Sequence, residues 1–178
     1  ESWGIVFGCA GFSSKPITAP TPNPSPLRKE GRKMRRIDPA SRFQALRGFI
    51  GRPQARAIAE CLIGEEGEHF DELLTRWGAV IRDMPVTYAT DWQGDDATVH
   101  LHYFTGGCDW YITEKDAGTP DEPGQHQAFG LANLGYGGEL GYISIAELIA
   151  NGAELDLYWQ AVPLRTVKAK DESRAVTA

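Results

Sequence analysis

From residue 43 the apolar positions fall at helical spacing. Phe43, Leu46 and Phe49 predict a short helix, capped by Asp38 or Ser41 and ended by Gly48 and Gly51. Ala55, Ile58, Ala59 and Leu62 predict a second helix, with Pro53 in its first turn and Gly64 at its end. Phe70, Leu73, Leu74, Trp77, Val80, Ile81 and Met84 give the third and clearest pattern. Glu65, Glu66 and Glu68 suit the positive end of that helix and Arg82 the negative end, and Pro85 stops it.

The period then changes to two. Residues 86–90 predict a strand and 91–96 (DWQGDD) a polar turn. Gly106-Gly107, between alternating segments, predicts a hairpin with a two-residue turn. That turn fixes the register: Thr105 opposite Cys108, Phe104 opposite Asp109, Tyr103 opposite Trp110, His102 opposite Tyr111 and Leu101 opposite Ile112, continuing to His100–Thr113 and Val99–Glu114. Val99, Leu101, Tyr103, Trp110 and Ile112 then form the core face. His100, His102, Phe104, Asp109, Tyr111 and Thr113 form a mixed polar and aromatic face.

Residues 115–127 read as a loop, 128–134 as a strand, 135–138 (GYGG) as a tight connection and 141–144 as a short strand. Ser144 and Glu147 form a capping-box pattern for a helix ended by Asn151-Gly152. Leu155, Leu157 and Trp159 alternate along a last strand, 155–160, and the chain from Lys168 reads as a frayed tail. Three helices followed by strands with one inserted helix predict an α+β fold, with N-terminal helices packed on a small antiparallel or mixed sheet.

Composition changes the picture at the N-terminus. Five prolines (Pro16, Pro20, Pro22, Pro24, Pro26) among small polar residues predict that 1–37 is a disordered extension, leaving 38–168 as a single domain and 169–178 as the tail. Lys29-Glu30 can be encoded by AAGGAG, a ribosome-binding sequence, a few codons before Met34. Residues 1–33 are therefore read as translated upstream sequence, with initiation at Met34. Residues 1–37 hold seven Lys/Arg and two Glu, a net +5; the whole chain is −6, so 38–178 carries −11. An acidic body repels phosphate backbones, which argues against nucleic acid as its partner. Cys9, Cys61 and Cys108 show no metal-type spacing and predict a reducing, cytoplasmic setting; no apolar run is long enough to span a bilayer.

Candidate chemistry gathers in the hairpin and after it. His100 and His102, two apart on a strand, place two imidazoles on one face, with Asp109, His126 or Glu139 as a third ligand for a metal. The bland alternative is a solvated sheet face with His102 against Tyr111. GYGG lacks phosphate-loop spacing, Ser144 is a cap, and Cys108 beside Asp109 is not an activated thiol. Trp92, Phe104, Tyr111, Tyr136 and Tyr142 offer a stacking surface for nucleobases without a basic groove. Glu114 and Glu139 read as anchors of a small pocket or as acceptors for backbone N–H groups. His100, His102, Asp109, Tyr111, Glu139 and Tyr142 are the candidate binding residues, and no cofactor is indicated.

DWYITEKD, AFGLANLG, ELGYISIAEL and ELDLYW, in that order over about residues 98–164, resemble the bacterial family called domain of unknown function 2958. The resemblance implies a genomic context, the plasmids, phages and integrated elements of bacteria, and no activity. Ala132-Asn133 stands where relatives show a Cys or Ala followed by Asp, so an acid expected there is absent. The expectation is an accessory protein of a mobile genetic element that acts through protein contacts, one form being interference with a host defence protein by acidic mimicry. The rival expectations are a metal-dependent enzyme using His100 and His102, and a single-stranded nucleic-acid binding module.

Overall fold

The computed structural model describes residues 43–118, 121 and 124–175, with side chains as far as Asp171. The proposed extension, the start at Met34 and the caps Asp38 and Ser41 lie outside the described residues. Helical conformation ends at Gln44, and i→i+3 bonds carry the chain to Phe49 (Leu46 N to Phe43 O, 3.1 Å; Phe49 N to Leu46 O, 2.9 Å). The helix expected through Phe49 is thus shorter, although Leu46 and Phe49 are buried as its pattern required. Helix α1 is Arg52–Ile63, with Gly51 as N-cap and Pro53 in its first turn. Helix α2 is Gly67–Asp83; it buries Leu73, Leu74, Trp77 and Ile81, and carries Glu68 at one end and Arg82 at the other.

A five-stranded antiparallel sheet follows, in the order β5-β4-β3-β2-β6. Its strands are β2 (Leu101–Thr105), β3 (Cys108–Glu114), β4 (Ala128–Asn133), β5 (Gly138–Ile143) and β6 (Glu154–Leu155). A second, two-stranded sheet pairs β1 (Thr98–Val99) with β7 (Val162–Pro163). Helix α3 (Ile145–Ala150) is the inserted helix; Ser144 Oγ accepts the Glu147 N–H at 3.2 Å. The β2–β3 register from Thr105–Cys108 to Leu101–Ile112 matches the hairpin expectation pair for pair. The fold is α+β.

Other segments also differ from expectation. Residues 86–90 are not a strand: beyond one bridge, Val86 to Lys115, the backbone turns, and Tyr88 takes φ 74°. A carboxylate replaces the ladder, because Glu114 accepts the N–H groups of Tyr88 (2.8 Å) and Thr90 (2.5 Å). The strand expected over 155–160 ends at Leu155, because Asp156 captures the chain in a side-chain turn, its Oδ1 accepting Tyr158 N–H at 2.9 Å. The strand expected over 141–144 instead begins at Gly138. The tail is helix α4, Leu164–Ala175, which buries Leu164, Val167 and Asp171.

Helix α4 alters the reading of the sheet. One face packs on the helices through Leu101, Tyr103, Ile112 and Leu155 in the larger core. The other was expected to be solvated, yet Tyr111 and Leu131 are buried on it against Val99, Leu164 and Val167 in a second core. Val99 therefore belongs to the opposite core from Leu101. The chain breaks between β1 and β2 at His100, so strict alternation does not run through it. The predicted pairs Val99–Glu114 and His100–Thr113 are accordingly not formed. Instead the register between β3 and β4 shifts between Ile112 and Glu114, a bulge that leaves Thr113 and Glu114 both buried. Only glycine fits opposite it, since a Cβ on Gly130 would lie 2.1 Å from the Tyr111 carbonyl oxygen.

Candidate binding surface

The structure separates the six candidate residues into four places. His102, Asp109 and Tyr111 come together on the α4 side of the sheet, with two residues the sequence reading did not include, Asp156 and Trp159. The His102 ring stacks on Tyr111 (centroids 4.8 Å apart, planes at 9°) and lies 4.9 Å from Trp159. Its Nε2 is 2.9 Å from Asp109 Oδ1 and its Nδ1 is 3.1 Å from Asp156 Oδ2. Each ring nitrogen thus faces one carboxylate, from opposite sides of the imidazole. Both imidazole nitrogens are engaged within the fold. The Leu155–Trp159 pattern reads as a strand in sequence, and the turn that swings Asp156 onto His102 leaves no separate signal.

His100 is elsewhere. It lines a groove of about 480 Å³ against α2, with Trp77, Val80 and Met84 on one side and Trp159 on the other. Burial pushes its imidazole below its ordinary range. The two histidines therefore do not form the expected shared ligand face. Among the described residues, no group of three or more His, Cys, Asp or Glu side chains is arranged to hold a metal ion.

The depressed His100 gives the domain a pH dependence whose sign is fixed. The folded state favours neutral His100, whereas the unfolded chain binds a proton near pH 6.5 (about). Stability from this group is complete above that value and is lost as pH falls through the folded value. Asp116 acts in a lower window: burial opposes its ionisation, but N–H bonds from Gly118, Gln127 and His126 outweigh it and hold the carboxyl low. Its contribution is lost only below about pH 3.9. Chemical denaturation at pH 7 and pH 5 is expected to show a smaller fall in His100→Gln than in the parent chain.

Glu139 and Tyr142 lie on β5, away from His102. Glu139 is exposed and pairs with Ala132, on the face that carries Trp110. Tyr142 pairs with Phe129 on the other face, its hydroxyl donating to Tyr88 Oη at 3.0 Å. That bond, with smaller effects of burial and of Tyr88, Asp91 and Glu114, raises the Tyr142 phenol above its usual range. The rings of Tyr88 and Phe129 meet Tyr142 edge-on at 6.1 and 5.6 Å. Tyr88 is held there by its positive φ and by the Glu114 carboxylate, a buried acceptor of backbone N–H groups.

Among the described residues the result is an open sheet edge: β5 has six residues and pairs there on one side only, with β4. Beside its free edge Leu140 is 46% exposed, Tyr142 58% and Tyr88 64%, so the apolar surface is continuous with unpaired backbone. Among the described residues nothing bonds to the outward backbone groups of β5. The other edge, β6, has two residues and turns away at Asp156. No described helix is long and apolar enough to cross a membrane. Compared with protein-family models, curated proteins and solved structures, the chain matches none.

Proposed function

We propose that this protein is a binding module that takes up an extended segment of a partner protein along β5. The observation that carries the reading is the edge of that strand left unpaired among the described residues, flanked by exposed Leu140, Tyr142 and Tyr88. Folded proteins usually blunt such an edge with lysine, proline, a bulge or a covering element. β5 (GELGYI) has no lysine, proline or bulge, and only Glu139 as a charge. Main-chain pairing supplies affinity in strand addition, and alternate side chains supply selection. Here one face offers Leu140 and Tyr142, and a Cβ added at Gly141 would meet nothing within 4 Å on the other. A partner strand with apolar residues at alternate positions and a Lys or Arg near Glu139 fits this edge. This edge supports the expected role through protein contacts, and the resemblance implies a partner in a bacterium that carries a mobile element.

Selection of displayed random peptides on the immobilised protein tests this. Enriched peptides are expected to show alternating apolar positions and to lose about tenfold or more in affinity to Leu140→Lys/Tyr142→Lys. Ile63→Lys, a change at an 89% exposed position of α1, is expected to leave binding intact. Peptides that bind the double variant as well as the parent would remove β5 as the site.

A further inference from the structure

Arginines cluster in the sequence just before and within α1. Residues 39–59 hold four arginines and no Asp or Glu, within a body that carries −11 over 38–178. Three of them, Arg47, Arg52 and Arg56, line one groove of about 590 Å³ between the turns at 43–50 and α1. Gly48, which also lines the groove, takes φ 87° in the turns before α1. Arg52 and Arg56 are four apart and therefore neighbours on the helix surface. No described carboxylate lines the groove. Arg47 and Arg52 make no ion pair among the described residues, and Arg56 has one exposed pair, 3.1 Å to Glu60.

Three cations around one concavity repel one another, and an anion relieves that repulsion. The floor adds a second requirement. Phe43, Ile50 and Ala59 are half-buried there, so a bare inorganic anion would leave apolar surface uncovered. The volume lies within the range of small-molecule sites, about 300–1,000 Å³. We infer that this groove binds a phosphate ester carrying a flat apolar group, the chemistry of a nucleotide. The planar guanidinium forks match phosphate oxygens, and the flat group covers the apolar floor. The site is separate from β5, so loss of either activity leaves the other standing.

Titration of the full chain at low salt with adenosine monophosphate, adenosine, inorganic phosphate and a short adenine oligonucleotide tests the inference. The monophosphate is expected to bind about tenfold or more tighter than adenosine or phosphate, and to weaken as salt rises. Arg47→Ala/Arg52→Ala is expected to reduce its affinity by about tenfold or more, and Arg47→Lys/Arg52→Lys by less, because charge remains while the forks are lost. Arg82→Ala, an exposed arginine paired with Asp83, is expected to leave affinity unchanged. An oligonucleotide that binds far tighter with the same arginine dependence identifies a nucleic-acid strand as the source of the phosphate. The seven basic residues of 1–37 give a background that these substitutions do not touch. Binding that survives the double alanine change, or phosphate that binds as well as the monophosphate, overturns the inference.

Discussion

Glu114→Ala is expected to cost the domain about 3–5 kcal/mol and to free the 86–90 segment. Glu114 is 1% exposed and accepts three donors, the backbone N–H groups of Tyr88 and Thr90 and the Thr90 hydroxyl. Removing the carboxylate leaves two backbone donors without their acceptor, each costing about 1–3 kcal/mol, and vacates a packed volume. The bond from its N–H to Glu114 is one of the contacts that hold Tyr88 at φ 74°. Glu114→Gln keeps the volume but turns an NH₂ group towards donors, so it is expected to lose most of the same stability. Chemical denaturation reads the stability. Amide exchange at residues 88 and 90 reads the release, and a stability change without faster exchange there would contradict the assignment.

His102→Ala is expected to cost about 3 kcal/mol, because it removes a charge-assisted partner from each of Asp109 and Asp156 and two ring contacts. The side chains of His102, Asp109 and Asp156 are only 13, 15 and 28% exposed, so water replaces the lost bonds poorly. His102→Phe restores the rings but not the bonds and is expected to recover only part of the loss. If Phe restores full stability, the two carboxylate bonds contribute nothing. In a cycle with Asp156→Ala the losses are expected to be less than additive, since Asp156 holds the 156–159 turn through the same histidine.

The parts of the fold visible in sequence are those fixed by local contacts. The rhythm from Phe70 to Met84 specifies α2, and Gly106-Gly107 specifies the hairpin register because its turn closes between neighbours in the chain. Where side chains take over the backbone bonding, the pattern misleads. Residues 86–90 alternate like a strand, yet their donors turn to Glu114, 24 to 26 residues on. Leu155, Leu157 and Trp159 alternate too, but the turn at Asp156 ends the strand. Helix α4 was hidden because Asp171, one of its buried positions, is charged. The same distant contacts explain the site. The break at His100 follows from the pairing of β1 with β7, more than sixty residues away, and it sends the two histidines to different surroundings. Tyr142 was legible as an exposed aromatic position, whereas Glu139, read as a pocket anchor or an acceptor for backbone N–H groups, is exposed. That they flank a bare edge follows only from the strand order, which leaves β5 outermost.

That edge is tested most directly by amide hydrogen exchange over residues 138–143, with and without a bound peptide from the selection. A strand pairs through every second residue of its neighbour, so alternate amides of β5 are expected to slow by about tenfold or more, while β6 and the His100 groove are unchanged. Unaltered exchange along β5 with protection elsewhere, on α2 or around His100, would contradict strand addition.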